Sequence, residues 1–122
     1  MVIFLDTFAI IEIDKGNTNY RKYSIEKIEA VTTIFNVIEI YFYYLKNFGQ
    51  DEADSIYEII KPLSIEVDDS IIKNASKFKL LHLKKRYSFA DCMGYQTAKK
   101  FNARFLTGDC AFKGLDNVEF VK

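Results

Sequence analysis

The sequence is short of the residues that punctuate, cross-link or skew a chain. One proline and five glycines in 122 residues leave little material for linkers, and no repeat or low-complexity tract is visible. Residues 1–122 therefore read as one domain, long enough to bury a real core. With only two cysteines, Cys92 and Cys110, neither a disulfide-dense secreted scaffold nor a four-cysteine zinc site can form; both are expected as free, buried thiols. Net charge is absent too, with 17 Lys plus Arg against 17 Asp plus Glu. That excludes a nucleic-acid binder that is basic overall. Arginine is scarce, 3 against 14 lysines, so little of the positive charge suits bidentate phosphate recognition. No apolar run approaches the roughly 20 residues that span a bilayer. The opening Met1 to Asp6 lacks a basic start and meets a carboxylate after four apolar residues, a poor signal peptide. A cytoplasmic protein with no membrane association is the expectation.

What is present is an ordinary globular composition, 49% apolar and 28% charged. Val2 to Leu5 is a continuous apolar run, the mark of a strand buried on both faces. Phe8 to Ile13 can form a first helix, Gly16 to Asn19 a polar loop, and Ser24 with Lys27 and Ile28 a second, short helix. Glu29 to Ile34 contains Val31-Thr32-Thr33-Ile34, β-branched throughout, and is expected to be extended. From Asn36, apolar residues at three- and four-residue spacing predict a helix closed by Gly49. Asp51 starts another, which Pro62 stops. Leu63 to Val67 is a strand candidate. Asp68 and Asp69 cap a helix reaching Leu81, Ser88 opens one that runs to Asn102, and Arg104 to Thr107 and Val118 to Val121 are the last strands. Strands alternating with helices predict an α/β fold, a mostly parallel sheet of four or five strands with helices on both faces.

In such a sheet, ligands bind outside the carboxyl ends of the strands. Asp6 directly follows the first predicted strand, and Asp109 follows Arg104 to Thr107. Asp91 lies in the first turn of a helix, where free N–H groups and the dipole favour an anion. Glu39 lies between Ile38 and Ile40, a costly place for an unpaired charge. Each acid has a plainer role open to it: Asp6 as a helix cap, Asp91 as half of a capping box with Ser88, Asp109 as a turn residue, Glu39 on a solvated helix face. Glu12, in a similar apolar run, shows how weak one such acid is alone. Their joint placement is what suggests a site.

Four blocks of this chain resemble PIN-domain proteins of the kind found as toxins of VapBC toxin–antitoxin pairs. They are Phe4-Leu5-Asp6-Thr7, Thr33 to Glu39, Ser88-Phe89-Ala90-Asp91 with Ala98-Lys99, and Phe105 to Asp109 with Phe112 and Val118 to Val121. The resemblance runs in the family's order from residue 3 to 121. It implies a PIN-like fold and an endoribonuclease dependent on Mg²⁺ or Mn²⁺, with RNA as substrate, a small antitoxin as partner and a homodimer as assembly. It further implies that Asp6, Glu39, Asp91 and Asp109 form the catalytic and metal-binding set. Asp6 and Asp91 would be the main ligands, Asp109 would hold the ion directly or through water, and Glu39 would orient or deprotonate the attacking water. Thr7 and Thr107 are expected to support them. Carboxylates without His or Cys ligands suit Mg²⁺ or Mn²⁺ rather than zinc. A catalytically silent PIN-like module that binds RNA or protein is the alternative.

His82 has no Ser or Cys partner that would make a triad, and is expected at the surface or in helix packing. Lys84, Lys85 and Arg86 lead directly into the Ser88 block, where they could steer RNA or simply end a helix. Tyr41 to Tyr44 puts aromatics on every side of one helix, and an exposed share would suit protein association. Without the four site acids, 13 acids face 17 bases, so an acidic pocket would sit in a mildly basic surface.

Overall fold

The computed structural model describes all of residues 1–122. Four strands, β1 (Val2–Leu5), β2 (Glu29–Val31), β3 (Arg104–Thr107) and β4 (Val118–Phe120), form one sheet in the order β2-β1-β3-β4. Every pairing is parallel. Five helices surround it: α1 (Thr7–Asp14), α2 (Ile34–Phe48), α3 (Gln50–Ile60), α4 (Asp69–Leu81) and α5 (Phe89–Lys100).

The alternation of β1 divides the core in two. Ile3 and Leu5 face one side, where with Leu106 they pack against Ala9 and Ile10 of α1, Val37 and Ile40 of α2, and Ile56 and Ile60 of α3. Phe4 and Phe105 face the other, stacked on each other and packed against Ile71 and Ala75 of α4 and Met93, Tyr95 and Ala98 of α5. Both faces of the central strands are thus buried, which is why they read as uninterrupted apolar runs. A Cβ on Gly94 would come within 2.8 Å of the Phe4 ring. Only a glycine lets α5 lie this close to β1, and that approach holds the first turn of α5 beside the carboxyl end of the sheet.

Four sequence expectations differ from the structure. No helix forms over Ser24 to Ile28. Instead Thr18–Tyr23 is a 3-10 helix, with Asn17 accepting a hydrogen bond from the Asn19 N–H at 2.9 Å. Its three-residue period carries both Tyr20 and Tyr23 into the core, which a 3.6-residue period would not do as well. Leu63 to Val67 is not a strand: Lys61–Leu63 is a 3-10 turn, and Ser64 alone bridges to Thr32. The cause lies in the neighbouring segment. Thr33 caps α2 by accepting from the Asn36 N–H, so the helix begins at Ile34 and little extended chain is left to pair. Ile34 is accordingly helical rather than extended. Finally, Cys92 is buried as expected but Cys110 is exposed, because Phe112 is the residue that its short turn buries.

No helix is long and apolar enough to cross a membrane.

Candidate active site at the sheet switch point

The chain leaves β1 toward β2 on one side and returns as β3 on the other, so a crevice opens at the carboxyl ends of β1 and β3. A cavity of about 560 Å³ occupies this position, lined by Asp6, Thr7, Phe8, Ile11, Glu39, Ser88, Asp91, Gly108, Asp109, Cys110 and Lys122. All four acids singled out from the sequence therefore reach one cavity, each from a different element.

Asp6, Asp91 and Asp109 also perform the local roles that their sequence positions suggested, whereas Glu39 is not simply on a solvated face but is bonded across the cavity. Asp6 caps α1, its Oδ1 accepting from the Ala9 N–H at 2.7 Å. Asp91 forms a reciprocal capping box: its N–H donates to Ser88 Oγ at 3.0 Å, and its Oδ2 accepts from the Ser88 N–H at 2.8 Å. Asp109 Oδ1 accepts from the Ala111 N–H at 2.9 Å and starts a 3-10 turn. Glu39 Oε1 accepts from the Thr7 hydroxyl at 2.6 Å. At least one oxygen of each carboxylate is committed to the scaffold, which fixes where the group stands without exhausting its acceptor capacity.

Burial and mutual repulsion give the group its electrostatics. Asp6 is 3% exposed. Burial pushes its carboxyl up to about 7, and the charges of Asp91 and Asp109 add to that, against the lowering effect of hydrogen bonds from Thr107 and the Ala9 N–H. Asp91 is raised in the same direction, again chiefly by burial and further by Glu39 and Asp109, while its bonds to Ser88 oppose the shift. The pocket concentrates negative charge and would be relieved by a cation.

Thr7 and Thr107 lie against these acids. The Thr107 hydroxyl, fully buried, accepts from the Asp109 N–H at 3.0 Å and also reaches Asp6, linking the two strand-end acids. Thr7 belongs to a longer relay that the sequence did not reveal. Thr33 Oγ1 donates to Asn36 Oδ1 at 2.7 Å, Asn36 Nδ2 donates to Thr7 Oγ1 at 3.2 Å, and Thr7 donates to Glu39. Asn36 is buried. A polar residue three positions before Glu39, hence on the same helix face, was the available signal. Lys122 is the second omission, and nothing in its sequence neighbourhood marks it.

Lys84, Lys85 and Arg86 are exposed at a turn just before Ser88, and none of them lines the cavity. His82 packs its ring on Phe78 at 4.4 Å, a helix-end packing role. The Cys92 thiol is pushed up to about 11 by burial, which keeps it unreactive. Of the aromatic run, Tyr44 is in the core while Phe42 is 65% exposed. Phe42 joins Ile34, Ile38 and Leu45 on an open apolar groove between α2 and α3.

Residues 3–118 match the family described as the PIN domain, and the chain belongs to that family. No curated protein sequence matches it significantly. Among solved structures, VapC20 of Mycobacterium tuberculosis, described as a sarcin–ricin-loop-cleaving toxin, superposes with a TM-score of 0.78 at 19% identity, over 98% of this chain and 99% of that one. VapBC2 of Rickettsia felis, solved bound to a DNA fragment from its promoter, gives 0.75 at 16% identity over 100% of both chains. A toxin–antitoxin complex from Klebsiella pneumoniae gives 0.73 at 13% identity, over 96% of this chain and 95% of that one. At these identities the likeness is one of fold.

Proposed function

We propose that this chain is an endoribonuclease dependent on Mg²⁺ or Mn²⁺, the toxin of a toxin–antitoxin pair acting on RNA in the cytoplasm. The observation that carries it is the arrival of Asp6, Glu39, Asp91 and Asp109, from four separate elements, at one cavity in a PIN-family chain. In this reading residues 1–122 form a single PIN-like domain. The open apolar groove on α2 and α3 gives the protein a surface suited to association, with an antitoxin or as a homodimer.

The donor set suits a hard divalent ion. Its atoms are carboxylate and hydroxyl oxygens, the type that Mg²⁺ and Mn²⁺ prefer. A buried Asp6 held near 7 is a carboxylate whose ionisation a cation would favour. No three acidic, His or Cys side chains are arranged here to ligate one ion together. An ion bound in this arrangement would therefore have to keep several waters and take at most two carboxylates directly. Asp6 and Asp91 would be those two, with Asp109 completing the site through water. Such an ion supplies Lewis acidity and lowers the pKa of its bound water. The chain's own part is positional. Thr107 holds Asp6 and Asp109 in relation to each other, the capping box holds Asp91, and the relay through Thr7 aims Glu39 to take the proton of the attacking water.

The test is cleavage of a single-stranded RNA with Mg²⁺ or Mn²⁺. Wild-type protein should cleave, while Asp6→Asn and Asp91→Asn should abolish cleavage with unchanged circular dichroism. Robust cleavage in excess EDTA would overturn the reading. RNA binding without turnover would identify a catalytically silent module instead.

A further inference from the structure

One cation stands in the wall of the acidic cavity. Lys122 lines it together with all four acids. Its Nζ donates to the Gly108 carbonyl oxygen at 3.2 Å, lies 3.6 Å from Cys110 Sγ, and sits 5.6 Å from the centre of the Phe8 ring. The backbone beneath it is fixed. The Val121 N–H donates to Thr107 O at 2.9 Å, Val121 O accepts from the Tyr20 hydroxyl, and Lys122 O accepts from Asn19 Nδ2 at 3.0 Å. A Cβ on Gly108 would meet Phe8 at 2.2 Å and Val121 O at 2.6 Å, so this segment is pressed directly onto the strand end.

The surroundings of the ammonium are unusual for a lysine among acids. Four ion pairs form in the molecule, Lys15–Glu12, Lys99–Asp116, Lys100–Asp68 and Arg104–Glu119. Lys122 is in none of them, although four carboxylates share its cavity. A backbone carbonyl and an aromatic face hold it instead, and no side-chain carboxylate lies within 4.0 Å of its Nζ. An ammonium has three N–H donors. One is spent on the Gly108 carbonyl and a second on Cys110 Sγ, which leaves the third for a ligand. A phosphate entering this cavity meets four carboxylates that repel it, and Lys122 is the cation among the lining residues that attracts it.

We propose that Lys122 contacts the RNA itself, pairing with a non-bridging oxygen of the phosphate that enters beside Gly108. The assignment rests on the ribonuclease reading of the same cavity. Lys122 therefore acts on the substrate, whereas the four acids act on the ion and the water.

Binding of a fluorescent single-stranded RNA, measured by anisotropy across a series of KCl concentrations, tests this directly. Lys122→Gln should weaken binding about tenfold at moderate salt, the size of one charge-assisted contact. The slope of log affinity against log salt should become shallower by about 0.7, as for one lost phosphate contact on a single strand. Lys122→Arg should retain most of the binding. Lys113→Gln removes the same charge from a lysine that lies over Phe120, outside the cavity, and should change neither quantity. Thermal melting verifies that each variant is folded. A Lys122→Gln protein with wild-type affinity and slope overturns the proposal. The two readings separate cleanly: a wild-type chain that binds RNA through Lys122 without ever cleaving it overturns only the nuclease, and one that cleaves with Lys122→Gln binding as wild type overturns only the phosphate contact.

Discussion

Thr7 and Glu39 are 32 positions apart, and a 2.6 Å hydrogen bond joins them across the mouth of the acidic cavity. The bond ties the first residue of α1 to the second turn of α2. Because Asn36, itself held by Thr33, donates to the same hydroxyl, the Thr7 proton is directed at Glu39. The Glu39 carboxylate is thereby held in one orientation.

Removing that hydroxyl isolates its contribution. Thr7→Val should lower RNA cleavage at least tenfold, at a stability cost of about 1 kcal/mol for a net lost hydrogen bond. Thr7→Ser should restore most of the rate, since it keeps the donor. Cleavage rates and urea denaturation of both variants check this, and equal rates for Val and Ser would contradict it.

Stability should fall as pH rises toward neutrality. Asp6 is raised from 3.8 to about 7 in the folded chain, so between those values the native state holds a proton that the unfolded state has released. Its stabilising contribution is full below about pH 4 and is lost as pH rises through about 7. Asp91 shifts in the same direction. In the absence of divalent ions, Asp6→Asn should therefore be more stable than wild type at pH 8 and the two should converge near pH 4. A shift of this kind corresponds to a gap on the order of a few kcal/mol. Urea midpoints at pH 4, 6 and 8 measure it.

Divalent cations should reverse that penalty. At pH 8, saturating Mg²⁺ or Mn²⁺ should raise the melting temperature of wild-type protein by several degrees, through preferential binding to the folded state. Asp6→Asn and Asp91→Asn should show little response. Scanning calorimetry with and without EDTA is the measurement, and an equal response in all three proteins would remove these two acids from the ion site.

Gly108→Ala should be destabilising by about 1 to 3 kcal/mol, as for an overpacked site. The added methyl would need to displace both Phe8 and the Val121 carbonyl. Because Asp109 is the next residue, activity should fall as well. Chemical denaturation and an RNA cleavage assay report the two effects separately.

The fold was legible in the sequence wherever pattern and chemistry agreed. The run Val2 to Leu5 is apolar on both faces because both faces are covered, and Ser88 with Asp91 forms the capping box its spacing indicated. Asp6, Asp91 and Asp109 could be found because strand ends and helix starts are where a parallel sheet exposes side chains to a common edge, and Glu39 because a charge stood inside an apolar helical run. What stayed hidden depends on long-range partners. The 3-10 helix at Thr18–Tyr23 follows from two tyrosines seeking a core built by distant strands. The absent strand at Leu63 to Val67 follows from a cap at Thr33, and Lys122 reaches the cavity only because Val121 continues the pairing beside Thr107.

The strand order has a temporal consequence. Asp6 follows the first strand to be synthesised, while Asp109 and Lys122 follow the third and fourth, and all three meet only when β1 and β3 lie side by side. A nascent chain still missing β3 has no site to assemble, however well its first two strands and α1 have formed. The carboxylate cluster is thus closed only after β3 has emerged, so no stretch of this sequence that stops short of Thr107 can carry the site, whatever else of the fold it has formed.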